Sequence, residues 1–212
     1  METAEAAAWL EAHCGVRVYA PGALIFEQDS EANAFYYLKS GLCQSYTTLK
    51  GGEERAMMTT WPGRFFGLST FFDGFIRLAS TVAIRRCEVV EVTRPAYEAC
   101  CAEFPEFPKL LLGALAWDVS ALFEQMADSA LLSADVKVAR FLCKRIANGE
   151  YPPGDCIRLD YTQAFIAKAL GLSRVSVNLS LSGFRDDGWI DTKYGVIEVL
   201  QPDKLQVFAY GE

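Results

Sequence analysis

Apolar and polar positions change period along this chain. Over the first hundred or so residues they form short runs that alternate or stay apolar: Leu24-Ile25-Phe26, Phe35-Tyr36-Tyr37-Leu38, and residues 42–49, 55–61, 80–84 and 87–92. Turn-forming pairs separate several of them, at Pro21-Gly22, Ser40-Gly41, Gly51-Gly52 and Pro62-Gly63. Many short strands at turn-marked intervals predict an antiparallel sandwich or barrel. Ahead of the strands, METAEAAAWLEAHCG reads as a short helix. From residue 107 to about 131 the period becomes helical, with Leu110, Leu111, Ala114, Leu115, Trp117, Leu122, Phe123 and Met126. So apolar a helix is not expected to face water on most sides.

Residues 162–190 predict two more helices and a hairpin. Thr162 suits an N-cap for a helix whose Phe165, Ile166, Ala169 and Leu170 share a face, and Gly171 suits the left-handed residue that ends it. Ser173 then caps a second helix after a short turn, which is helix-turn-helix spacing. On that second helix Val177, Leu181 and Phe184 form the core side, and Val175, Ser176, Asn178, Leu179 and Ser182 the other, with Arg174 near the border. The outer side has no acid. Small polar, amide and aliphatic groups suit a surface that meets phosphates and base edges, although the spacing alone also fits a plain core helix pair. Two short apolar strands, 188–191 and 196–199, flank a turn at Lys193-Tyr194-Gly195 and predict a wing.

The segment GLSRVSVNLSL resembles the recognition-helix region of the Crp/Fnr family of transcription regulators, and PGALIFEQDSEANAFYYLKSG is similar to that family's cyclic-nucleotide-binding β-roll. The resemblance implies an α+β fold: a jelly-roll-like antiparallel β-roll over residues 1–106, a dimerisation helix over 107–132 and a winged helix-turn-helix over 133–212. It also implies DNA contacts at Thr162, Gln163, Ser173, Arg174, Val175, Ser176, Asn178, Leu179 and Lys193. Common members follow the Ser-Arg pair with Glu, and with Arg four residues later. Here those positions are Val175 and Leu179, so only Arg174 carries over.

The implied effector site comprises Trp61, Gly67, Leu68, Ser69, Arg77, Leu78, Leu122 and Phe123. Members that bind cAMP carry Gly-Glu and Arg-Ser in the phosphate cassette, where this chain has Gly67-Leu68 and Arg77-Leu78. Leu68 cannot accept a hydrogen bond from a ribose hydroxyl. Arg77 is either a residual anion contact or a surface arginine. Trp61, Phe65, Phe66, Phe71, Phe72 and Phe75 crowd the cassette as a ligand box or as core. The expected effector is therefore a small apolar or aromatic anion rather than cAMP.

Charge divides unevenly. The net −7 arises through Leu132, with 10 basic and 17 acidic residues; from Ser133 onward there are 10 of each. A neutral DNA-binding half predicts modest affinity per subunit and a need for a homodimer. The seven cysteines show no metal-cluster spacing, and His13 is the only histidine, so no cofactor or metal is expected. The cysteines read as reduced, mostly buried thiols, with His13-Cys14 as a surface pair. No phosphate loop, nucleophile elbow or spare histidine base is present, and enzyme activity is not expected.

No uninterrupted apolar run reaches the ~18–20 residues of a membrane span, and the acidic N-terminus differs from a basic signal peptide, which points to the cytoplasm. The expected protein is an allosteric DNA-binding regulator with double-stranded DNA, a second copy, a small effector and RNA polymerase as partners. The alternatives are a partner-binding module whose helix-turn-helix no longer reads DNA, and a thiol redox-responsive regulator.

Overall fold

The computed structural model describes residues 3–52, 54–74, 76–147, 157–159, 161–193 and 196–211. The chain forms two compact units, Met1–Phe123 and Glu124–Glu212, so the division falls inside the long helix.

The first unit runs α1 (Thr3–Cys14), β1 (Arg17–Tyr19), β2 (Leu24–Phe26), β3 (Ala34–Ser40), β4 (Cys43–Thr48), β5 (Glu54–Thr60), β6 (Arg64–Phe66), α2 (Leu68–Asp73), β7 (Ser80–Ala83), β8 (Cys87–Thr93), α3 (Arg94–Glu103) and the start of α4 (Phe107–Leu131). Its strands make two four-stranded sheets with antiparallel pairing, ordered β1-β8-β3-β6 and β2-β7-β4-β5. The jelly-roll-like expectation is met. The first sheet is buried on both faces, as the continuous runs in β3 and β8 require. Period-two alternation sends Phe35, Phe65, Val90 and Val92 toward a cluster with Ala6 and Leu10 of α1, Cys100 of α3 and Phe107 and Leu111 of α4. Their neighbours Ala34, Tyr36, Phe66 and Val89 turn the other way, to Cys43 and Ala83 of the second sheet.

Strands β1 and β6 and helices α2 and α3 have no counterpart among the sequence expectations. The helix expected from residue 107 to about 131 is α4. A 22-residue stretch of it, Phe107–Asp128, is long and apolar enough to cross a membrane by length and composition, although Lys109, Asp118 and Glu124 interrupt its apolar run. Cys43, Cys87 and Cys100 are buried, Cys14, Cys101 and Cys143 are half-buried, and all six are free thiols; Cys156 lies outside the described residues. The surface-pair reading fails at Cys14, which packs against the α1–α4 cluster while His13 stacks on Trp9.

The second unit holds α5 (Ala134–Ala147), β9 (Ile157–Leu159), α6 (Gln163–Leu170), α7 (Arg174–Asp186), β10 (Ile190–Lys193), β11 (Val196–Val199) and α8 (Pro202–Tyr210). The expected wing is β10 and β11, and β9 joins them as a third antiparallel strand. Tyr194 and Gly195 of the expected turn lie outside the described residues. Val138 and Leu142 of α5, Leu159, Ile166, Val177, Leu181, Phe184, Ile190, Ile197 and Leu205 form the buried interior.

Candidate nucleic-acid interface and sensor cassette

Helix α6 starts because Thr162 Oγ1 accepts from Phe165 N at 3.1 Å, and stops at Gly171, whose φ of 63° is left-handed. Helix α7 starts three residues on, where Ser173 Oγ accepts from Ser176 N at 3.0 Å. The two axes turn by 113°, as a helix-turn-helix requires. Both expected caps are in place. The face expected for α6 needs correction: Ile166 and Ala167 are the buried pair, and Phe165 is half-buried because its ring stacks on Tyr161 at the side of the helix.

On α7 the expected Val177, Leu181 and Phe184 are buried, together with Ser180. Ser180 Oγ lies 2.6 Å from Asp135 Oδ1 and 3.0 Å from the Ser176 carbonyl, two acceptors for one hydroxyl proton. This ties α7 to the first turn of α5. The only hint in the sequence is a serine standing on an apolar stripe. The outward side carries Arg174 and Asn178, with Val175 at 69% and Leu179 at 66% exposure. Gln163 Nε2 donates to Asn178 Oδ1 at 3.0 Å, so these two expected contacts face the same surface as a pair. Lys193 is 2.8 Å from Asp191 Oδ2 and 3.8 Å from Glu198 Oε2. Its ammonium holds the Asp191 carboxyl below the ordinary value. A phosphate approaching Lys193 meets a charge that is already paired.

The sensor cassette is arranged differently. Strand β6 leads through Gly67 into α2, and Arg77 lies beneath this turn with 2% exposure. Its Nη1 donates to the Gly67 carbonyl at 2.9 Å and to Thr70 Oγ1 at 3.1 Å, and its Nη2 donates to the Ala34 carbonyl. The guanidinium carbon stands 4.3 Å from the Phe26 ring centre and 5.5 Å from that of Tyr36. Burial pushes the guanidinium below its ordinary pKa. The surface-arginine alternative is therefore overturned, because three protein acceptors and two rings draw the side chain inward. Gly67 has φ 72°, and a Cβ there would sit 2.8 Å from Arg77 Nη1, so both the turn and the arginine need glycine.

Leu68 is 1% exposed within the cluster of Phe35, Phe65 and Phe71. Ser69 is exposed, Leu78 is 70% exposed, and Trp61 is half-buried. The ligand-box alternative for the aromatics is likewise corrected. Phe65 and Phe71 belong to the core on one face of the sheet, Phe66 stacks with Phe26 and Tyr36 on the other, and Phe72 is exposed. The period of two in β6 separates Phe65 from Phe66, and Phe75 lies outside the described residues. Thr70 and the Phe26–Tyr36 pair were not anticipated.

On α4, Leu122 and Phe123 are exposed. One turn earlier Arg64 of β6 lies over Trp117, 4.0 Å from the ring centre. Burial raises the neighbouring Asp118 carboxyl to about 6, against the pull of the Arg64 charge. Among the described residues no group of three or more His, Cys, Asp or Glu side chains could hold a metal ion.

Residues 16–104 match the cyclic nucleotide-binding domain family, and residues 136–208 the Crp-like helix-turn-helix domain family. The Cyclic AMP receptor protein of Thermus thermophilus is 27% identical over 203 residues, covering 92% of this chain and 88% of that protein. A CRP-like cAMP-activated global transcriptional regulator of Mycobacterium tuberculosis is 28% identical over 171 residues, covering 80% and 76%. Among solved structures, FixK2 from Bradyrhizobium japonicum superposes with a TM-score of 0.79 at 21% identity, covering 91% of this chain and 96% of that one.

Proposed function

The chain belongs to the Crp/Fnr family of transcription regulators, and from that premise we propose that it reads double-stranded DNA through α7 as a homodimer and answers to a small effector other than cAMP. The observation that carries the DNA-reading half is the outward face of α7. Arg174, Val175, Asn178 and Leu179 are exposed on one side of a capped helix whose other side is anchored to α5. Arg174 pairs with a guanine or a phosphate, and Val175 and Leu179 touch thymine methyl groups. Thr162, Gln163, Ser173, Ser176 and Lys193 line the backbone beside them. The target then differs from a site read by Glu and a second Arg.

Selection of bound duplexes from a random pool tests this reading. It should return a two-fold motif with half-sites about one helical turn, roughly 10 base pairs, apart. A flat result would favour the partner-binding alternative, which the two exposed aliphatic residues also suit. Arg174→Ala should lower specific binding by about 1–3 kcal/mol and leave the melting temperature unchanged. Normal binding by that variant would place the reading residues elsewhere.

Both relatives are named for cAMP. Against cAMP, Leu68 is core, Leu78 is exposed to solvent, and both Arg77 Nη nitrogens already donate to protein acceptors, which leaves only the buried Nε without one. Leu122 and Phe123 stand where cAMP-binding members carry hydroxyls, and they favour an apolar or aromatic ligand. Calorimetric titration with cAMP should give no heat of tight binding; tight binding would overturn this part while leaving the DNA reading intact.

The second copy covers α4, whose Leu112, Val119 and Met126 are exposed. An effector held by the β-roll acts on α4 through the Arg64–Trp117 contact. The break at Leu132-Ser133 then changes the spacing of the two copies of α7. Two ion pairs bridge that break, Arg140 to Asp128 at 2.6 Å and Lys144 to Glu124 at 2.9 Å, and a hinge motion must strain or exchange them. RNA polymerase is the further partner, and the cytoplasm the place where such DNA is met.

A further inference from the structure

Two buried thiols meet where the two sheets of the β-roll face each other. Cys43 begins β4 and Cys87 begins β8; neither side chain is exposed, and their Sγ atoms are 3.5 Å apart. Cys43 pairs with Thr60 and Ala83 in one sheet and Cys87 with Tyr19 in the other, so no strand ladder joins the two cysteines. Cys87 Sγ is held 3.1 Å from the Arg85 carbonyl and 3.3 Å from that of Leu42. The hydrogen bond with Cys87, and burial, push the Cys43 thiol above its usual value. A disulfide needs sulfurs about 2.05 Å apart, which is a closure of about 1.5 Å from the present separation.

The cover over the pair is thin. Gly41 is half-exposed, has φ 96°, and a Cβ there would sit 2.7 Å from Cys87 Sγ. A bare backbone therefore lies directly against the sulfur, where any other residue would place a side chain.

We propose that Cys43 and Cys87 form a reversible oxidation site, which a small hydroperoxide converts to a disulfide linking the two sheets. One thiol, as its thiolate, attacks a peroxide oxygen; the O–O bond breaks, the other oxygen leaves as an alcohol or water with the thiol's proton, and the sulfur becomes a sulfenic acid. The second thiol attacks that sulfur, the S–S bond forms, the S–O bond breaks, and water leaves. Two electrons pass from the sulfur pair to the peroxide. A dithiol reverses the bond by exchange.

The test uses the full chain, folded, exposed to hydrogen peroxide, alkylated with N-ethylmaleimide, digested and mapped by mass spectrometry. The expected product is a peptide pair joined through Cys43 and Cys87 that dithiothreitol separates. The oxidised protein should melt at a higher temperature than the reduced one, because the cross-link restricts the unfolded chain, and Cys43→Ala should remove both effects while Cys101→Ala keeps them. Full alkylation of Cys43 and Cys87 after peroxide treatment overturns the proposal. So does a bridge that forms only in urea, or one that joins Cys14 to Cys100 while this pair stays reduced. If Cys43→Ala does not fold, the wild-type peptide map still decides.

Discussion

Helix α7 and the cassette around Arg77 both carry aliphatic residues where the family resemblance leads one to expect polar ones, and they point them in opposite directions. On α7, Val175 and Leu179 point outward, so their apolar surface stabilises nothing until a partner covers it. In the cassette Leu68 points inward and is already part of the core. Fully burying such a side chain stabilises a fold by about 1.5–3 kcal/mol. A substitution on this face of α7 is therefore nearly free of consequence for folding. In the cassette the leucine instead contributes to stability, and the arginine beside it braces β3 against the turn from β6 into α2.

Substituting the residues that the resemblance implies tests this contrast. Leu68→Glu puts a carboxylate into the Phe35–Phe65–Phe71 cluster and should lower stability by at least about 3 kcal/mol at pH 7, seen as a lower urea midpoint. Acidification should recover part of it as the new carboxyl takes a proton. A stable Leu68→Glu protein that gained cAMP binding would show that the cassette is still a ligand site in waiting. Arg77→Leu comes next. It leaves the Gly67 and Ala34 carbonyls and the Thr70 hydroxyl without their donor, at a cost of about 2–3 kcal/mol by the same measurement. Unchanged stability would mean the brace is incidental. Leu179→Arg, the corresponding restoration on α7, should stay within about 0.5 kcal/mol of wild type and instead alter the motif recovered from random duplexes.

What could be read ahead of the structure follows the same division. Strand periods, the glycines at turns and the caps Thr162 and Ser173 depend on residues a few positions apart, and the helix-turn-helix and most of the β-roll followed from them. Strands β1, β6 and β9 have three residues each and each includes an arginine, so they lack both a readable period and the unbroken apolar run that marks the equally short β2. Whether Arg77 faced water or protein could not be read locally. Its acceptors come from Ala34, Gly67 and Thr70, brought together only when β3 pairs with β6. The aromatic cluster failed for a related reason: Phe65 and Phe66 are adjacent in sequence and on opposite faces of one sheet. Ser180 needed α5 to supply Asp135, 45 residues away.

A pH-dependent effect is expected at Asp118, beside the Trp117 on which Arg64 lies. Burial raises its carboxyl to about 6 in the folded protein, above the ordinary 3.8, and the Arg64 charge offsets only part of this. Between those two values the folded state holds the proton more tightly than the unfolded chain does. Stability from this group is thus complete below about pH 4, declines as pH rises to about 6, and is absent above that. Asp118→Asn, which carries no charge at any pH, should be more stable than wild type at pH 8, by about 1 kcal/mol once solvent screening at this half-buried site is allowed for. The difference should shrink as the pH falls through 6 and disappear near pH 4. Urea midpoints of the two proteins at pH 4, 6 and 8 measure it. A gap that stays constant with pH would assign the effect to packing around Trp117 rather than to the buried charge. The matching series on α7, with Leu179→Asn, should show no such pH dependence, because an exposed leucine has neither a buried charge nor a filled site behind it.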